Sequence, residues 1–329
     1  MYDIVGFDLP CMDLNVNIPH LPEPDGGTKA QQLSWQGGGK VATGMVTAAR
    51  LGAKCAMMGV VGDDIFGRFC ISDFQRHNID TESMSIAADT DTSLSIVLSA
   101  KSTNSRSFVF KNGGTAYRNL SDSEIAKIKN SKLLFVSHLS DSVLEAMRIA
   151  KDSGVKVLID ADGYHDNIPK LLPYIDVFIG SEAVYKGLYG ELDFSGTSVL
   201  DGCRQLSEKG PYITAFTFGE NGCAVYGSGD SCIIPAFDVD AADTVGAGDV
   251  FHGAFAAALI QGKTPAECAR FASGASAIKV TRIGGRAGIP DLKTLETFLE
   301  TGHIDYTEID KRVNFYERCF SKERFSDTL

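Results

Sequence analysis

From residue 132 onward, short β-branched runs alternate with helical stretches, and that rhythm leaves few folds open. Residues 133–136, 155–159, 177–179 and 212–218 read as strands, with helical periodicity near 141–153 and 196–208 between them. Strand and helix in repeated succession imply a parallel sheet covered by helices on both faces. Ile4-Val5-Gly6 reads as a further buried strand. In open sheets of this kind ligands bind beyond the carboxyl ends of the strands. Asp160 and Asp162 stand at such an end. Two carboxylates there can hold Mg²⁺, while turn and capping roles account for at least one of them.

The stretch 242–251, Ala-Asp-Thr-Val-Gly-Ala-Gly-Asp-Val-Phe, is a tight glycine turn running into a helix. Phe251, Ala254, Phe255, Ala258 and Leu259 fall on one helical stripe. Gly246 and Gly248 let the backbone approach a ligand closely. Such a helix start presents free N–H groups and a positive dipole end, which is an anion site. Asp249 is then the anomaly, because a carboxylate repels a bound anion. It makes sense as a base that takes a proton from an attacking hydroxyl. The bland alternative is dipole compensation in the first helical turn.

The first hundred residues are organised differently. An exposed strand at 14–18 follows Asp13, which reads as a residue of a strand-edge loop. After a Pro/Gly-rich loop at 19–27 comes a short strand near 31–36, then Gly37-Gly38-Gly39-Lys40 opening a helix. Consecutive glycines after a polar strand do not make the G-x-G-x-x-G dinucleotide fingerprint. Residues 64–77 fit an amphipathic helix, and strands at 94–98 and 107–110 flank a polar turn at 102–105. These strands form a small sheet with no helices of its own and one face needing cover. Arg106 and Lys111 on its hairpin can reach toward substrate, but as lone basic residues on an exposed hairpin they read as solvated. A helix near 265–280 is rich in Ala and Ser, suited to close packing or to a planar base. Ile309, Val313, Tyr316 and Phe320 share one face of a docked tail helix.

A net charge of −11 argues against nucleic-acid and anionic-membrane partners. The eight cysteines include no C-x-x-C pair, so they read as reduced, mostly buried thiols of a cytosolic protein. No run approaches a membrane span, and the opening residues lack a signal-peptide pattern.

The string Asp243-Thr244-Val245-Gly246-Ala247-Gly248-Asp249 resembles the D-T-x-G-A-G-D signature of the ribokinase/PfkB family of sugar kinases. Gly38-Gly39-Lys40, Leu51-Gly52-Ala53 and the G-x-x-G-x-D-x-x-G loop at 59–67 resemble its earlier signature, in the right order. The resemblance spans residues 2–300. It implies a ribokinase-like three-layer α/β/α sandwich over 1–302 with a mostly parallel central sheet. A discontinuous β lid at about 14–36 and 92–118 and a tail helix in 303–329 complete the expected chain. The implied activity is ATP-dependent phosphorylation of a sugar hydroxyl, with Asp249 as base and Gly246, Ala247 and Gly248 as anion hole. Asp13, with Asp8 as its rival, and Gly38, Gly39, Lys40 and Thr43 would bind substrate; Thr43 stands where the family has Asn. Ser181, Glu182, Thr217, Gly219, Gly222 and Thr244 would serve ATP. Ser181 and Val184 depart from the family's N-x-x-E, leaving Glu182 as a substitute. Mg²⁺ would bridge the phosphates. Carbonyls of Asp243, Arg282 and Gly284 would hold a monovalent cation such as K⁺, and the lid would pair two subunits. A nucleoside kinase and a non-catalytic ligand sensor are the competing readings.

Overall fold

The computed structural model describes residues 1–100, 102–103, 105–113, 119–137, 140–191 and 198–320. The strands are β1 (Tyr2–Asp8), β2 (Cys11–Ile18), β3 (Gln32–Gly38), β4 (Cys55–Gly62), β5 (Asp80–Ala87), β6 (Ser93–Ala100), β7 (Ser105–Lys111), β8 (Ser131–Val136), β9 (Lys156–Ala161), β10 (Val177–Ser181), β11 (Ile213–Thr217), β12 (Cys223–Gly227) and β13 (Asp230–Ile234). The helices are α1 (Lys40–Arg50), α2 (Ile65–Arg76), α3 (Asp122–Lys129), α4 (Asp141–Asp152), α5 (Ile168–Leu171), α6 (Glu182–Tyr189), α7 (Ser198–Ser207), α8 (Ala247–Ile260), α9 (Pro265–Lys279), α10 (Leu292–Thr301) and α11 (Thr307–Arg318). The expected lid end at 114–118 and the tail at 321–329 lie outside the described residues.

Nine strands make one sheet in the order β13-β12-β11-β10-β9-β8-β1-β4-β5. All its pairings are parallel except β11–β12 and β12–β13. The chain builds outward from β1 to β4 and then returns to β1's other side with β8, so the strand order reverses at β1. That reversal opens a crevice beyond the carboxyl ends of the strands. Two apolar layers pack on the sheet, one including α1, α8 and α9 and the other α4 and α7. None of the described helices is long and apolar enough to cross a membrane.

Three features differ from the sequence-based expectation. The segment expected as a loop from Gly59 begins inside β4, whose eight residues are all buried. A parallel strand covered on both faces shows no alternation, so its unbroken run Ala56-Met57-Met58 carries no strand period. α3 was not anticipated, although Ser121 and Glu124 form a reciprocal capping box that the sequence displays. α8 is buried on every side from Val250 to Ala258, well beyond a single stripe, because helices cover the side that the sheet does not.

α8 crosses α1 without intervening side chains. A Cβ on Gly253 would lie 2.1 Å from the Gly44 carbonyl oxygen and 2.7 Å from its Cα. Only backbone could yield. Overpacking of this kind costs about 3 kcal/mol, and alanine's helix preference returns about 1. Gly253→Ala is therefore expected to lose roughly 2 kcal/mol in denaturant unfolding; an unchanged midpoint would contradict the close crossing.

The second sheet, β3-β2-β6-β7, is the lid. Register and the two-residue side-chain period put Leu14, Val16, Leu33, Trp35, Ile96 and Val109 on one face and Asp13, Asn15, Gln36, Ser95 and Phe110 on the other. The apolar face, expected to need cover, receives it in part from α2 and the tail. Trp35 stacks on Phe66 of α2 at 6.1 Å and meets Phe320 edge-on at 5.4 Å. Ile309 and Tyr316 of α11 are buried, so the tail helix docks as its periodicity suggested. Leu33 and Val109, at 48% and 56% exposure, stay uncovered.

Candidate active site

β1, β9, β10 and β11 run parallel and end on one edge of the large sheet. Asp8 closes β1, and its carboxylate accepts from the N–H groups of Leu9 at 2.9 Å and Ala42 at 3.1 Å. It thus caps α1 from a neighbouring strand. Asp13, the favoured sugar ligand, is not in a loop but is the third residue of β2. Gly38 lies against it, where a Cβ would come within 2.3 Å of Asp13 Oδ2. Burial pushes Asp13 up to about 6, against the opposing pull of the Cys11 thiol, which donates at 3.3 Å, and of Arg286.

Gly39, at φ 98°, turns the chain into α1, whose first residue is Lys40. The Lys40 ammonium pairs with Asp162 at 2.8 Å. Burial lowers its pKa, but Asp162, Asp160 and Asp249 together hold it above the usual lysine value.

Asp249 is the third residue of α8. The helix starts from Gly246 at φ 72°, where a Cβ would also sit 2.8 Å from Gly285 Cα. No side chain caps this end. The Ala247 N–H reaches the Thr244 carbonyl at 3.2 Å, and the helical ladder begins with the Val250 N–H on Gly246 at 3.0 Å. First-turn N–H groups have no intrahelical acceptor. A Cβ on Gly248 would meet nothing within 4 Å, so the cup is open. Burial and then Asp160 raise the Asp249 carboxyl well above the usual range, with Lys40 opposing them.

Beneath the cup lies His252, one helical turn beyond Asp249, which no local sequence motif marks. Its Nδ1 is 2.6 Å from the Gly248 carbonyl, and its Nε2 is 3.2 Å from the Ile179 carbonyl and 3.4 Å from Asp160 Oδ1. It ties the start of α8 to β9 and β10. Asp160 is buried, and burial raises its pKa against the lowering effect of His252 and Lys40.

Ser181 and Thr217 are register partners at the ends of β10 and β11. The Ser181 hydroxyl donates to the Asp162 carbonyl at 2.8 Å and accepts from the Val184 N–H at 3.4 Å, capping α6. Gly219 and Gly222, both at positive φ, turn the chain into β12, and a Cβ on Gly222 would strike the Ile234 carbonyl at 2.1 Å. Glu182, the first residue of α6 directly after Ser181, pairs with Lys186 one turn along at 2.6 Å.

The small sheet reaches the loop before α8. Arg106 donates to the Thr244 hydroxyl, so it is not merely solvated as expected, whereas Lys111 pairs with exposed Asp91 at 2.6 Å. Asn17, Ser99 and Arg106 of the lid, with Asp240, Thr244 and Arg282, line a cavity of about 550 Å³.

Thr43 is buried away from that opening, and its hydroxyl accepts from Arg286 Nε at 3.3 Å. Arg286, fully buried, also donates to Asp73 at 2.6 Å and to the Gly38 carbonyl at 3.0 Å. It supports the glycine loop from behind. Its only sequence signal is an isolated charge in Gly284-Gly285-Arg286-Ala287-Gly288.

Of the three carbonyls expected to hold a monovalent cation, that of Asp243 is engaged otherwise, and other groups of the same residues make contacts of their own. The Asp243 carboxylate accepts from the N–H groups of Val245 at 3.0 Å and Gly284 at 2.9 Å. Arg282 pairs with Asp310 at 2.8 Å and lies over the Tyr306 ring. The carbonyls of Asp243 and Val245 accept from the ammonium of Lys279, another residue that no local motif marks. Among the described residues no three His, Cys, Asp or Glu side chains are grouped to hold a metal.

Comparison with known proteins shows what the chain is similar to. Residues 1–292 match the family model described as pfkB family carbohydrate kinase. A ribokinase of Haemophilus influenzae is 31% identical over 290 residues, covering 87% of this chain and 94% of that one. A nucleoside kinase of Methanothermobacter thermautotrophicus is 25% identical over 290 residues, covering 88% and 93%. The structure of Arabidopsis thaliana ribokinase complexed with ribose and ATP superposes with a TM-score of 0.79 at 23% identity, covering 91% of this chain and 99% of that one.

Proposed function

This chain belongs to the pfkB family of carbohydrate kinases, and we propose that it transfers the γ-phosphoryl group of ATP to a hydroxyl of a sugar or sugar derivative. The observation that carries the reading is Asp249 in the first turn of α8, beside an uncapped, open helix start. Asp249 removes the proton of the acceptor hydroxyl, and the N–H groups of Gly246, Gly248 and Ala247, the last on leaving its 3.2 Å contact with the Thr244 carbonyl, hold the γ-phosphoryl as charge moves onto it. A carboxyl raised in pKa by burial and by Asp160 is a stronger base than an exposed one. Asp13, Gly38, Gly39 and Lys40 orient the sugar, and Thr43 acts through Arg286. Ser181, Thr217, Gly219, Gly222 and Thr244 border the nucleotide. Asp160 and Asp162 are the carboxylates that would hold Mg²⁺ beside the ATP phosphates, where the ion would neutralise phosphate charge. The intact Asp249 argues against a silent sensor. A site built for ATP and eight free cysteines suit the cytoplasm.

Asp13 makes the reading testable by pH. Its ionised form accepts from sugar hydroxyls, and with a pKa of about 6 it protonates as the solution is acidified. The KM for sugar is expected to rise about tenfold between pH 7 and pH 5, while Asp13→Asn flattens that profile. The sign for stability is opposite. The folded state keeps a proton that the unfolded chain has released, so this group lowers stability as pH rises from about 4 to about 6.

A nucleoside acceptor is the second reading. Phe108 and Phe110, stacked at 5.6 Å and exposed, share the lid face that carries Asp13, where a flat base could stack. Parallel assays with sugars and nucleosides separate the two. The uncovered apolar lid face around Leu33 and Val109 fits a second copy of this chain. Light scattering after size exclusion should give a dimer, and a monomer from Val109→Arg; a monomeric wild type would rule that pairing out.

A further inference from the structure

A monovalent cation near Asp243 would need carbonyl oxygens, and four of those there already accept hydrogen bonds. Those of Asp243, at 3.0 Å, and Val245 accept from Lys279 Nζ. The Val280 carbonyl accepts from the N–H groups of Ala242 at 2.8 Å and Asp243 at 3.0 Å, and the Ile283 carbonyl from the Gln36 amide at 3.0 Å. A K⁺ ion sharing these oxygens would sit beside an ammonium. Two unit charges about 4 Å apart repel by roughly 4 kcal/mol even at an effective dielectric of 20. The residues present do not fit a resident K⁺.

We infer that the Lys279 ammonium is the resident monovalent cation of this protein, holding the 243–248 loop in the shape that aims the amides of α8 and making phosphoryl transfer independent of added K⁺. The inference rests on the kinase reading above and deepens it by naming an ion the site does without. Lys279 is the last residue of α9, where the helix dipole favours positive charge, and its side chain is fully buried. One turn earlier the Ser276 hydroxyl donates to the Ala247 carbonyl at 2.7 Å, so α9 grips the loop at a second point. Burial lowers the lysine's pKa to about 8, with Asp243 and Asp249 opposing and Arg106 assisting, and it stays largely charged at neutral pH. Lys279 thus acts as a positioning residue, through backbone that it never leaves.

The test compares KCl with tetramethylammonium chloride, each at about 0.1 M and matched in ionic strength. For wild type, kcat should change less than about twofold and Tm by less than about 1 °C, since no ion binds. Lys279→Met should lose about tenfold or more in kcat without K⁺, and KCl should restore part of the loss and raise its Tm. Wild-type activation by K⁺ of about tenfold, a K⁺-dependent Tm rise of several degrees in wild type, or full activity of Lys279→Met without K⁺ would each overturn the inference. Should Lys279→Met not fold, the wild-type comparisons decide alone. The melting readout needs no turnover. A chain inactive on every acceptor therefore sinks the kinase reading, while its Tm response to KCl still decides this one.

Discussion

Asp249→Asn is expected to lose about 10²-fold or more in kcat, a barrier increase of roughly 2.7 kcal/mol, with Tm and ATP affinity unchanged. The amide keeps the shape of the carboxylate and cannot take a proton. The uncapped start of α8 is built by backbone, from Gly246 in its left-handed turn, so the phosphoryl cradle survives the change. Removing a negative charge from a cluster that already holds Asp160 and Asp162 should, if anything, relieve repulsion. A loss of turnover with retained or raised stability is the signature of a base. Equal losses in both would mean a structural role, and near-normal turnover would end the proposal.

The second large effect is on the fold. Arg286→Met is expected to cost about 3–5 kcal/mol in denaturant unfolding, the range for breaking a buried ion pair. Asp73, 1% exposed, would keep the Tyr316 hydroxyl at 2.8 Å and lose the guanidinium at 2.6 Å. The penalty is the stranded carboxylate more than the missing attraction. Asp73→Leu placed on top should therefore recover at least about 1 kcal/mol, a coupling expected of residues in direct contact. Arg286→Met also frees the Gly38 carbonyl and the Thr43 hydroxyl, so sugar KM should rise even in the stabilised double variant. A single variant costing under about 1 kcal/mol would contradict the buried pair.

Much of this architecture is legible without coordinates, and what escapes does so for physical reasons. The βα rhythm after residue 132 and the glycine turn before Asp249 carry local signals, and both stand where they were expected. β4 escaped because a strand buried on both faces shows no period. Asp13 was misplaced into a loop because one polar residue in a lid strand looks like a turn. Arg286, His252 and Lys279 are invisible for another reason: each gains its role from backbone atoms far along the chain, as when Lys279 meets Asp243 across 36 positions. Thr43 shows the converse. Its place in the motif marks it for substrate, yet it reaches the glycine loop only through Arg286.

The central claim is that a carboxylate beside an open helix start moves a phosphoryl group from ATP to an alcohol. Its most direct measurement is ADP release by the purified chain with MgATP and a panel of sugars and nucleosides, with the product identified by mass. The account predicts ADP release that depends on an acceptor and a product heavier by one phosphoryl group. ADP release that ignores the acceptor, or none with any member of a broad panel, would contradict it.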